Sequence, residues 1–179
     1  MDKNVLIISS SPRKDGNSEK LAREFAKGAF ESGNTVEIIY LREKSFSFCK
    51  GCLSCQKLNH CIIDDDAVNI TEKMHDADII VFATPVYYYC VSGQLKTILD
   101  RSNPLYGTDY NFTDVYLLAA AAEHEPETVE GAQKAIQGWV DCFDRASLRS
   151  TVFAGGVNDA GDIAGHPALE KAYQIGKQA

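Results

Sequence analysis

The chain has 179 residues, 45% of them hydrophobic and 24% charged, which is the balance of a soluble globular protein long enough to bury a core without cross-links. A net charge of -7 leaves no excess of Lys and Arg to follow a phosphate backbone, which argues against a nucleic-acid surface. No apolar run nears the ~20 residues of a membrane helix, and the four apolar residues Val5 to Ile8 are too few for a signal-peptide core, so one cytoplasmic domain over residues 1–179 is expected.

Residues 4–9 predict a buried strand that ends in Ser and Pro. Residues 18–32 predict a helix with Leu21, Ala22, Phe25, Ala26, Ala29 and Phe30 on one face, stopped by Gly33 and Asn34. A second strand is expected over 35–41, followed by a connection at about 42–63 that holds four cysteines. Asp64, Asp65 and Asp66 open a helix near 65–76 as cap and first-turn acids. A third strand over 78–84 is broken by Pro85, and helices are expected near 92–102 and 126–144. Strands four and five fall at 114–122 and 149–153, the last ended by Gly155 and Gly156, and Pro167 starts a closing helix. Alternating strands and helices imply a parallel sheet covered on both faces, and five strands with this rhythm fit a doubly wound α/β sheet of order 2-1-3-4-5.

In such a sheet ligands collect at the carboxyl ends of the strands beside the switch point. The first loop there, Ser9 to Ser18, leads from strand to helix and matches neither a P-loop nor a GxGxxG fingerprint. Helix N-termini favour anions. Ser9, Ser11 and Ser18 add hydroxyls, Asn17 an amide and Arg13 a charge, while Gly16 permits close approach. A phosphate site is one reading; a polar turn with Ser18 as helix cap is the other. After strand three, Tyr87, Tyr88 and Tyr89 form a loop whose rings can lie against a flat heterocycle, with backbone near Pro85 and Val86 meeting its polar edge. The alternative is that these tyrosines pack the surface of the third helix, near 92–102.

Cys49, Cys52, Cys55 and Cys61 are spaced C-x2-C-x2-C-x5-C. In a cytoplasmic protein this density points to metal or redox chemistry, not a disulfide framework. A 4Fe–4S cluster suits four soft thiolates, three of them from a tight loop. Structural zinc more often uses two separated C-x2-C pairs. Free thiols without metal are the third reading. Cys90 and Cys142 are expected in or near the core. His60, His75, His124 and His166 are scattered, each expected at the surface, and Asp100 with Arg101 is expected as an exposed ion pair or an interface contact.

The segments S-S-P-R-x-x-G-N-S at 10–18, the four cysteines, Asp64-Asp65, P-V-Y at 85–87 and S-G-x-L-K-x-x-x-D-R at 92–101 together resemble the NADPH-dependent FMN reductase family of flavodoxin-like proteins, and within it the iron–sulfur flavoproteins. The resemblance covers roughly the first 100 residues; beyond 110 only the fold rhythm matches. It implies FMN with its phosphate on Ser9, Ser11, Pro12, Arg13, Asn17 and Ser18 and its ring beside Pro85, Val86, Tyr87 and Tyr88. It implies NAD(P)H as cosubstrate, a second electron acceptor, and a homodimer or dimer of dimers with each FMN near the interface. The alternative it carries is an electron carrier with FMN and a 4Fe–4S cluster on Cys49, Cys52, Cys55 and Cys61, served by a ferredoxin-like partner. A regulatory or quinone-reducing flavin module is a third. The loop at 119–126 departs from the glycine-containing loop of such proteins, and its Glu123 and Glu125 would disfavour a reduced, anionic flavin. No residue is expected to act as an obligatory acid or base.

Overall fold

The computed structural model describes residues 2–179. Strands β1 (Asn4–Ser9), β2 (Thr35–Tyr40), β3 (Ile79–Pro85), β4 (Asp114–Ala120) and β5 (Ser147–Ala154) form one sheet in the order 2-1-3-4-5. Every neighbouring pair is parallel. Six α-helices follow in chain order among the described residues: α1 (Asn17–Glu31), α2 (Cys55–Leu58), α3 (Asp66–Asp76), α4 (Gly93–Arg101), α5 (Glu130–Val140) and α6 (Pro167–Gln178).

Successive strand residues point to opposite faces, and the central strands are apolar on both, so two cores form. Val5, Ile7, Ile79, Val81 and Leu118 pack with Leu21 and Phe25 of α1 and Ala168 and Ala172 of α6. Leu6, Ile8, Ile80, Phe82 and Leu117 pack on the other face with Ile70 and Met74 of α3, Leu95 and Ile98 of α4 and Ile136 of α5. The chain switches sides between β1 and β3, which opens a crevice at their carboxyl ends. Among the described residues no helix is long and apolar enough to cross a membrane.

Three expectations are corrected. The helix expected over 126–144 is a 3-10 turn at Pro126–Val129 followed by α5, which ends at Val140. Phe143 leaves the helix axis to bury its ring against Tyr110, Phe112 and Trp139, at centroid distances of 5.1, 5.1 and 4.6 Å. Strand β4 stops at Ala120, and β5 starts at Ser147 because a register shift opposite Val115 and Tyr116 lets Arg149 bulge out. Strand β3 does end at Pro85, where the break was expected. Phe30 does not join the buried face of α1; it is 71% exposed at the helix's last turn.

Candidate functional site

The turn from β1 into α1 is wound tightly by its own side chains. Ser11 Oγ donates to the Arg13 carbonyl at 2.9 Å and accepts from Arg13 N at 3.2 Å, and Gly16 N donates to the same carbonyl. A Cβ on Gly16 would sit 2.5 Å from Ser11 Oγ and 3.2 Å from the Arg13 carbonyl, so a side chain at 16 would push the turn open. Gly16 is also the N-cap of α1, with no side chain to satisfy the first-turn N–H groups. Ser9 and Ser18 are buried, and neither hydroxyl has a hydrogen-bond partner. Ser18 in the first turn of α1 thus leaves an orphaned hydroxyl at an uncapped helix N-terminus, an arrangement suited to an oxyanion, and Ser9 leaves a second at the end of β1.

The remaining polar groups of the turn are already engaged. Ser10 Oγ donates to Ala83 O and accepts from Ser92 Oγ, which joins β1, β3 and the start of α4. Asn17 Nδ2 donates to Asp159 O, and Asn17 Oδ1 accepts from Gly161 N and Ile163 N, so this amide anchors the loop after β5. Arg13 Nη1 donates to Asn158 O.

The β3–α4 loop is a two-residue hairpin. Tyr87 and Cys90 exchange both backbone hydrogen bonds at 3.0 Å, and Tyr88 and Tyr89 between them sit at φ 48° and 60°. Such turns favour Asn and Gly, so two tyrosines there hold backbone strain. Tyr89 Oη donates to Glu123 Oε2 at 2.8 Å, and this carboxylate raises the Tyr89 phenol above its usual value. The Tyr89 carbonyl lies where a Cβ on Gly131 would be, 2.0 Å away, so α5 backs the turn closely. Tyr88 is left 99% exposed at the tip. Tyr87 and Tyr89 are 41% and 55% exposed, and the helix that lies against the turn is α5.

These loops enclose a cleft of about 310 Å³ lined by Ser11, Arg13, Asn17, Ser18, Pro85, Val86, Tyr87 and Tyr88. Eight of the ten candidate residues are thus brought together. Ser9, buried at the end of β1, and Pro12, exposed, are outside its lining. Gly16, Ala120 to Ala122, Val157 and Asn158 complete the wall. Sequence reasoning missed Val157 and Asn158, whose only signal is the Gly155-Gly156 turn before them. The residues fit FMN: a basic and hydroxyl-rich end for a phosphate, an apolar and aromatic end for a ring.

The cysteine loop builds a second cleft of about 450 Å³, lined by Cys49, Cys52, Cys55 and Cys61 together with Arg101, Asn103 and Trp139. Cys49 and Cys52 are exposed, and Cys55 accepts from Asn103 Nδ2 at 2.9 Å. Hydrogen bonds from Ser54 hold the Cys52 thiol below its usual value. Among the described residues no three His, Cys, Asp or Glu side chains are gathered closely enough to hold a metal ion. The donor set is still that of a four-thiolate group, since all four cysteines line one cleft. Cys142 also lines it and is exposed, which corrects the core position expected; Cys90 is half-buried against the core as expected. Arg101 is corrected too. It is 2% exposed and pairs with Asp65 at 2.8 Å, while Asp100 pairs with Lys96. His166 caps α6 through Nδ1, and the other histidines sit at or near the surface.

Residues 3–156 match the family of NADPH-dependent FMN reductases. The chain is 44% identical over 101 residues to an iron–sulfur flavoprotein of Methanocaldococcus jannaschii, 56% of this chain and only 52% of that protein's length. It is 33% identical over 163 residues to the iron–sulfur flavoprotein of Methanosarcina thermophila, covering 91% of this chain and 83% of that one. Among solved structures, an NAD(P)H:quinone oxidoreductase from Methanothermobacter marburgensis superposes with a TM-score of 0.77 over 99% of this chain and 96% of the other, at 19% identity, a likeness of fold.

Proposed function

The chain belongs to the NADPH-dependent FMN reductase family, in its iron–sulfur flavoprotein branch, and we propose that it is an NAD(P)H-dependent oxidoreductase that holds FMN at the carboxyl ends of β1, β3, β4 and β5. The observation that carries this reading is the buried, partnerless hydroxyl of Ser18 at the uncapped start of α1, on the wall of a cleft that ends in tyrosines, with a second such hydroxyl on Ser9 at the end of β1.

When bound, FMN supplies hydride acceptance from a nicotinamide and onward electron transfer to a second acceptor. The protein's own residues bind and orient. Ser18, the first-turn N–H groups of α1 and Arg13 meet the phosphate. Val86 N donates to Ala120 O, which holds the β3 and β4 loops at a fixed spacing around the ring position. Ala120, Ala121 and Ala122 offer no bulk, so a planar group can lie against backbone there. Tyr87 flanks the cleft, and the exposed Tyr88 leaves one side open to a nicotinamide. Glu123 sits behind Tyr89 and opposes accumulation of negative charge on the ring. A cytoplasmic homodimer, with the exposed tyrosine turn near the contact between subunits, is part of the same reading. Anaerobic mixing of FMN-loaded protein with NADPH or NADH tests it. The oxidised-flavin absorbance band should bleach with one of them, and a band unchanged by both contradicts the proposal.

The second reading is an electron carrier in which Cys49, Cys52, Cys55 and Cys61 hold a 4Fe–4S cluster and a ferredoxin-like protein delivers electrons. The cysteine-lined cleft supports it, as do relatives named iron–sulfur flavoproteins. Protein purified without oxygen should then contain about four irons and four acid-labile sulfides per chain.

A further inference from the structure

Arg101 ends α4 and is the largest fully buried side chain of the molecule's described residues. Its guanidinium is spent on the two ends of the cysteine loop. Nη1 donates to the Ser47 carbonyl and to Asp65 Oδ2, both at 2.8 Å. Nη2 donates to the Ile63 carbonyl at 3.0 Å and to Asp65 Oδ1 at 2.8 Å. The entering and leaving strands are stitched further, because Ser47 N donates to Asp65 Oδ2 at 2.8 Å and Ser45 N to Asp66 Oδ2 at 2.6 Å. Cys49, Cys52, Cys55 and Cys61 all lie between the pinned points. The fifth donor, Nε–H, is buried without a partner, and Arg101 lines the same cleft as the four cysteines.

We propose that Arg101 is the positioning residue of the cysteine site: it closes the loop at its neck and holds an unused donor beside the cleft that the four cysteines line. This deepens the cluster reading of those cysteines and rests on it. Two physical arguments carry it. Gathering four thiols from a loop costs chain entropy, and pinning the ends beforehand removes much of that cost. Four thiolates also concentrate negative charge. The guanidinium's own charge is matched by Asp65, so what it offers the thiolates is its unpartnered Nε–H, on a side chain only 1% exposed, whereas Lys50 on the same cleft is exposed to solvent. A fork is needed as well as a charge, because a Lys cannot reach two carbonyls and both carboxylate oxygens at once.

The test compares wild type, Arg101→Lys and Asp65→Asn after anaerobic reconstitution with ferrous iron and sulfide. Melting temperature and FMN content serve as folding controls, since Arg101 is not part of the flavin cleft wall. The expected result is wild-type FMN content in both variants, with iron lost to a chelator about 10–100-fold faster and a cluster reduction potential moved from that of wild type. Iron retention and potential unchanged in Arg101→Lys overturn the proposal. Limited proteolysis of the metal-free proteins gives a readout independent of the cluster. Cleavage between 48 and 62 should be faster in both variants, and equal rates overturn the clamp. If the wild type takes up no iron while the variants are cleaved faster, the cluster reading fails and the neck closure stands.

Discussion

Ser18 holds a hydroxyl buried with nothing to bond, an arrangement that costs stability in the free protein and is relieved by an anion. Ser18→Ala should therefore leave the ligand-free protein as stable as wild type, or more stable by up to about 1 kcal/mol. The same change should weaken FMN about tenfold, the equivalent of 1.4 kcal/mol. Chemical unfolding without ligand and fluorescence titration with FMN measure the two halves. Tyr88 makes the opposite case. Its φ of 48° strains a tyrosine but not a glycine, so Tyr88→Gly should raise stability by about 1 kcal/mol while weakening flavin or nicotinamide binding. A loss of stability with binding intact would contradict the assignment of that turn to function. Asp65 shows what could not be read from the chain alone. Its capping role was legible from Asp64-Asp65-Asp66, and the structure places its side chain on Ala67 N. Its partner Arg101 was not legible: beside Asp100 in sequence it suggests a surface pair, and only the return of the cysteine loop reveals where the guanidinium goes.

At the scale of elements, the Asp65–Arg101 tie predicts how the loop responds to acid. Burial raises the Asp65 carboxyl, but Arg101 and the N–H groups of Ser47 and Ala67 outweigh it and hold the group below the usual carboxylate range. A carboxyl depressed in the folded state stabilises above its unfolded value, near 3.9, and loses that contribution as pH falls through the folded value. Stability should be flat on this account near neutrality and fall below about pH 4, less steeply in Asp65→Asn; equal slopes in a pH series of thermal melts would refute the tie. Helices α1 and α6 meet through glycine. A Cβ on Gly28 would lie 2.1 Å from Tyr173 O, and one on Gly176 would lie 2.1 Å from Phe25 O. Ala would gain about 1 kcal/mol of helix propensity but meets backbone that cannot rotate away. Overpacking of about 1–3 kcal/mol should win, so Gly28→Ala or Gly176→Ala lowers the urea midpoint. The buried strands and their order were legible because short apolar runs such as Val5–Ile8 and Ile79–Ala83 alternate with amphipathic helices. The end of α5 was not, because the ring of Phe143 is drawn out of the helix by aromatic neighbours far along the chain. The one-turn α2 carries too little periodicity to announce itself.

Across the whole molecule, the two clefts are built from different loops. The flavin cleft gathers loops from four strands at their carboxyl ends, and the cysteine cleft lies against α4 and the end of α5 with no lining residue in common. Most of the first was visible as loop motifs; its far wall at Val157 and Asn158 was not, since small and polar residues after a strand carry no distinctive pattern. Binding of FMN against its dephosphorylated form riboflavin, by titration of intrinsic flavin fluorescence, tests the central assignment most directly. The account predicts quenching by FMN at micromolar concentration, with riboflavin weaker by tenfold or more because it cannot engage Ser9, Ser18 and the start of α1. Equal affinity for the two, or no binding of FMN, would contradict it.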